Sequence, residues 1–132
     1  MSIVARKTDF EVIQGGKMSL REKILNTEDI QEQVVDVPKW GVKILVKELN
    51  GRQRDKIMQS AVDSKGNINF EKMHSEAIIA ACYDPETKEK LFEETDRDQL
   101  MEKSSAAIDT IYNVIAEMSG LTKKSEEVIE KN

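Results

Sequence analysis

Only one stretch of this chain reads as β-structure, and its shortness constrains the fold more than any other feature. Val34, Val35 and Val37 form a β-branched run halted at Pro38. After Lys39-Trp40-Gly41 the residues Val42 to Lys47 alternate, so that Val42, Ile44 and Val46 share a face. Two short strands across a Pro-Lys-Trp-Gly turn predict a β-hairpin over about 33–47. A lone hairpin is marginal in water, so this one must pack on helices or pair at an edge. Either edge is also a place where a second chain could add a strand.

Beyond the hairpin the apolar period changes from two to that of a helix. Asn50 with Gln53 three residues on forms a capping-box signal for a helix bearing Ile57, Met58, Ala61 and Val62. Ser64-Lys65-Gly66-Asn67 breaks it. Asn69 then caps a second helix with Phe70, Met73, Ala77, Ile78, Ala81 and Cys82 inward, stopped by Asp84-Pro85. Leu91-Phe92 anchors a short irregular segment, and Leu100 and Met101 sit on a brief helix capped by Thr95 or Asp96. Ser104 opens the clearest helix, with Ile108, Ile111, Tyr112, Ile115 and Met118 in step and Gly120 beyond its end. The expected class is α+β, mostly α: one short hairpin packed on about five helices.

The ordered domain is expected to begin near Met18, where MSLREKIL reads as a short helix with Leu20 and Ile24 on one side. Residues 1–17 end in Gly15-Gly16 and read as a flexible arm or an expression leftover. Residues 18–132 read as a single domain. Its last segment, 122–132, carries Val128 and Ile129 as its only apolar pair, too few to bury much, and is expected to be mobile.

Composition narrows the function classes. With 39% apolar and 34% charged residues in 132, the chain is too apolar and too well patterned to be wholly disordered. Aromatics make up 5%, so aliphatic and Met side chains must build the core. One cysteine, Cys82, excludes an internal disulfide framework and fits a reducing compartment. No run approaches the roughly 18 apolar residues of a membrane span, and no signal-peptide core opens the chain. Residues 1–60 carry a net charge of +2 and residues 61–132 a net charge of −7. That acidic half argues against a nucleic-acid partner, which calls for a basic face. Lys43, Lys47, Arg52, Arg54 and Lys56 are a modest basic stretch without interleaved aromatics.

Candidate chemistry fails on spacing or ligand type. His74 and Cys82 are the only nucleophile-and-base candidates, yet eight residues of helix separate them by about 12 Å of rise, far beyond hydrogen-bond reach. The stretch from Asp63 to Glu71 resembles half of a calcium-binding loop. Aligning Gly66 with the loop's glycine puts Lys65 and Lys72 where carboxylates are needed. Glu93, Glu94, Asp96 and Asp98 lie at a helix start, where acids complement the dipole, and no His or Cys joins them. No phosphate loop, C-x-x-C or nucleophile elbow is present. The expectation is a protein that binds proteins, with no enzymatic activity, no cofactor and no resident metal. Trp40 either covers the helical core or anchors an interface; Val42, Ile44, Val128 and Ile129 join it as candidate protein-binding residues.

Taken in order, these segments resemble a known family. Val35-Asp-Val-Pro-Lys-Trp-Gly41, the strand Val42 to Val46 and Glu48-Leu-Asn-Gly-Arg-Gln-Arg-Asp55 look like the opening of the tail assembly chaperones of long-tailed bacteriophages and prophages. Ala80-Ala-Cys-Tyr-Asp84, Lys90-Leu-Phe92, Glu102 to Asp109 and the end from Leu121 are similar to their later segments, so the likeness spans roughly residues 18–132. Each motif alone is weakly specific; the ordered series is more so. The resemblance implies a protein of the host cytoplasm, absent from the mature virion, which binds the long apolar tape measure protein, keeps it soluble and helps recruit tail tube subunits. A homo-oligomer is compatible with it; nucleic acid and membrane are not expected partners. The alternative within the same setting is a structural tail adaptor or completion protein.

Overall fold

The computed structural model of the protein describes residues 18–121. Helix α1 (Leu20–Leu25) is closed at its start by a reciprocal cap, with Glu22 N–H donating to Ser19 Oγ at 3.1 Å and Ser19 N–H to Glu22 Oε1 at 3.1 Å. Leu20, Ile24 and Leu25 on it are all exposed.

The hairpin forms as the β-branched pattern dictates. β1 (Glu32–Val37) runs antiparallel to β2 (Val42–Lys47), with Val35 opposite Ile44 and Val37 opposite Val42. The connection is a 3-10 turn over Pro38–Trp40, for which proline supplies the preset φ, closed by Gly41 at φ +64° with its N–H on the Pro38 carbonyl at 3.0 Å. A Cβ at Gly41 would meet no atom within 4 Å, so Gly41→Ala tests the backbone alone. The left-handed conformation should lower unfolding free energy by about 1–2 kcal/mol, read as an earlier midpoint in urea with an unchanged m-value. An unchanged midpoint would mean that the turn relaxes to another conformation.

Val35, Val37, Ile44 and Val46 share the buried face, as a period of two requires. Leu45 is buried as well, on the opposite face, outside the main core cluster. The hairpin is not the whole sheet. β3 (Cys82–Tyr83) adds to β2 through Leu45 and Val46, giving the antiparallel order β1-β2-β3. On the outer face Lys47 lies 4.4 Å over the Tyr83 ring and 3.8 Å from Glu32.

Helix α2 (Gly51–Ala61) carries the capping box that its sequence announces: Gln53 N–H donates to Asn50 Oδ1 at 2.8 Å and Asn50 N–H to Gln53 Oε1 at 3.0 Å. The helix ends one residue before Val62, which turns extended and bridges to Ile68. Asn69 caps α3 (Phe70–Ala81), which passes into β3 without a loop. After β3, turn residues 85–87 bring the chain back to a single bridge between Tyr83 and Lys90, with Leu91 N–H donating to the Cys82 carbonyl at 3.1 Å. A 3-10 turn (Glu94–Asp96) leads into α4 (Arg97–Met101), and Ser104 caps α5 (Ser105–Ser119), which ends on Gly120 at φ +75°.

Helix α3 is the hub: α2, α4 and α5 all pack on it, and α5 also packs on β1 and β2. Ile44, Met73, Ile78, Ile111, Ile115, Val37, Val46, Cys82 and Ser75 are the largest fully enclosed side chains. Phe70, expected inward, is 57% exposed because it occupies the first turn of α3, ahead of the stripe that meets the core. The class is α+β, mostly α. The expected arm 1–17 and the segment 122–132, with Val128 and Ile129, lie outside the described residues.

Candidate protein-binding surface

The groups that could carry chemistry are placed apart and occupied structurally. Cys82, where α3 passes into β3, is fully buried, and burial pushes its thiol up to about 12. His74 is half-buried. It stacks at 4.3 Å, tilted, on Tyr112; burial holds its pKa below the ordinary value, opposed by the nearby Asp109 charge. Asp63 organises the α2–α3 turn: Oδ1 accepts from Lys65 and Asn67 N–H, each at 2.9 Å. Those hydrogen bonds, that of Asn67 foremost, lower its pKa.

The acidic stretch before α4 is likewise engaged. Asp96 Oδ2 accepts from Glu93 N–H at 2.8 Å, and Arg97 bridges Glu94 to Glu76 of α3, the latter pair at 3.0 Å. Among the described residues no three His, Cys, Asp or Glu side chains converge to hold a metal ion, and no helix is long and apolar enough to cross a membrane.

Apolar surface does gather in one place. The 3-10 turn of the hairpin sets Trp40 half-exposed beside Leu91 and Phe92, which the irregular segment after the Lys90 bridge delivers. Two clefts meet there. One, about 650 Å³, runs from Trp40, Leu91 and Phe92 to Leu100 and Lys103 at α4. The other, about 750 Å³, joins the same three residues to Val34, Val42 and Ile44 of the hairpin. Val42 and Leu91 remain 45% and 38% exposed, whereas Ile44 is enclosed and contributes only floor. Three of the residues singled out in the sequence, Trp40, Val42 and Ile44, are thus brought together.

The sequence reading missed Leu91, Phe92 and Leu100 as parts of this surface. The available signal was an apolar pair, Leu91-Phe92, standing alone in the polar stretch 84–99, where no local core requires it. Trp40 packs on the core cluster, as the first of its alternatives requires, and also lines the cleft.

No protein-family model matches the chain, and no curated protein does. Among solved structures, the tail assembly chaperone of bacteriophage HK97 matches with a TM-score of 0.54 at 21% identity, over 76% of this chain and 95% of that one. Over about three quarters of its length, the chain shares the fold of the HK97 tail assembly chaperone.

Proposed function

We propose that the protein is a phage tail assembly chaperone that binds the tape measure protein, keeps it soluble and helps recruit tail tube subunits. The observation that carries this reading is the agreement of two likenesses, one of sequence motifs and one of fold. The ordered motifs from Val35 to Asp109 point to the same kind of protein as the fold shared with the HK97 chaperone. The physical logic is consistent: a long apolar helical protein aggregates when its surface is bare, and a small acidic partner covers such surface while staying dissolved. Binding proteins, without catalysis, in the host cytoplasm is the role this implies, with residues 18–132 as the working unit.

Co-expression with a tape measure protein from the same phage tests the reading. The expected result is a several-fold gain in soluble tape measure protein and its co-purification with the chaperone. No gain and no co-purification would sink it. A second reading, a structural adaptor of the tail, draws on β1, a six-residue strand at the outer edge of the sheet that could accept another strand. Mass spectrometry of purified virions separates the two, since a chaperone is absent from the finished particle and an adaptor is present.

A further inference from the structure

The cleft around Trp40 is apolar in its floor and acidic in its rim. Asp96 and Glu102 border the first cleft, and Asp84 and Glu86 the second. A smaller cleft that shares Gln99 and Glu102 with the first adds Glu71 and Asp98. Against these six carboxylates stand two cations, Lys43 and Lys103. An apolar floor with a net negative border attracts apolar side chains flanked by positive charge and repels a flanking carboxylate.

We infer that this groove binds a peptide segment of another protein that presents apolar anchors bordered by lysine or arginine, with Leu91 and Trp40 gripping the anchors and the acidic rim selecting the cations. The inference names the contact surface for the partner in the proposed function and rests on that reading for its biological setting. A second copy of the chain is the poorer occupant. The chain carries a net charge of −5, and each copy would bring its own acidic rim to the contact.

The single tryptophan of the chain lies in the groove, so its emission reports occupancy directly. The probes are a short peptide of leucines and lysines with its leucines in one stripe, labelled with a dye for anisotropy, and a twin with glutamate for every lysine. The full-length protein is expected to bind the lysine peptide saturably, with a shift in Trp40 emission, and to bind the glutamate twin at least tenfold more weakly. Leu91→Ser removes an exposed anchor and should weaken binding about tenfold. Glu102→Lys should weaken it about threefold and reduce its salt dependence. Both positions are exposed, so melting temperatures near the wild-type value establish that the variants are folded.

Equal binding of the two peptides overturns the inference, as does a Leu91→Ser protein that binds like wild type. So does an unresponsive Trp40, whichever other segment or copy holds the groove. Co-expression separates this from the proposed function. If both variants still solubilise the tape measure protein, the function stands and the surface is wrong. If the peptide binds as expected while wild type fails to solubilise that protein, the surface stands and the function is wrong.

Discussion

Ile111→Ala should lower the unfolding free energy by about 3 kcal/mol, within the 2–5 kcal/mol typical of emptying a fully enclosed aliphatic site. Ile111 is 0% exposed at the centre of the inward stripe of α5, in the same cluster as Met73 and Ile78 of α3 and Val46 of β2. The stripe meets both the hub helix and the sheet, so no single element can move in to fill the space. Urea unfolding followed by circular dichroism measures the change. A loss below about 1 kcal/mol would show that the site collapses around the smaller side chain.

The thiol of Cys82 supplies the second large effect. In the folded protein it is fully enclosed and its pKa is pushed up to about 12 by burial, so near pH 8 it is protonated and out of reach. Iodoacetamide should therefore modify the native protein on the order of 10³-fold or more slowly than the chain in guanidinium, since reaction waits for opening against a stability of several kcal/mol. Similar rates in the two conditions would place Cys82 at the surface. The two experiments are linked. Where opening is global, the loss expected for Ile111→Ala should speed native labelling roughly 100-fold.

The same shift gives a pH dependence. An unfolded thiol releases its proton near 9 while the folded one holds it, so the folded state binds more protons as pH rises from about 9 towards 12. The stability due to this group falls across that window. His74 works at the other end. Its folded pKa is depressed, so the unfolded chain binds protons more readily as pH falls through the ordinary histidine value, and stability falls with it.

What was legible in the sequence was chiefly local. Asn50 with Gln53, Asn69, Ser104, Gly41 and Gly120 announce their caps and turns through side chains that bond within three residues or through a backbone freedom only glycine has. The alternation in Val42 to Lys47 likewise set the buried face of β2. The third strand was hidden because Cys82 continues the apolar spacing of α3, and only pairing with Val46, distant in sequence, draws it into the sheet. Leu45, buried on the outer face and paired with Tyr83 of β3, broke the alternation, which the hairpin's own pattern does not encode. The candidate surface was half legible. Trp40 and Val42 stood out, whereas Leu91, Phe92 and Leu100 join them only once the chain has turned back after β3.

The hydrogen bond from Leu49 N–H to Ser119 Oγ, 2.9 Å long, closes a loop of 70 residues and fastens the end of β2 to the last described helix. Together with the packing of α5 on β1 and β2, it sets a timetable for the nascent chain. The hairpin is made early in synthesis, but its apolar face stays bare until the ribosome has delivered the whole of α5. For most of its own translation this protein exposes an uncovered β-surface, the same hazard that it is proposed to suppress in its partner.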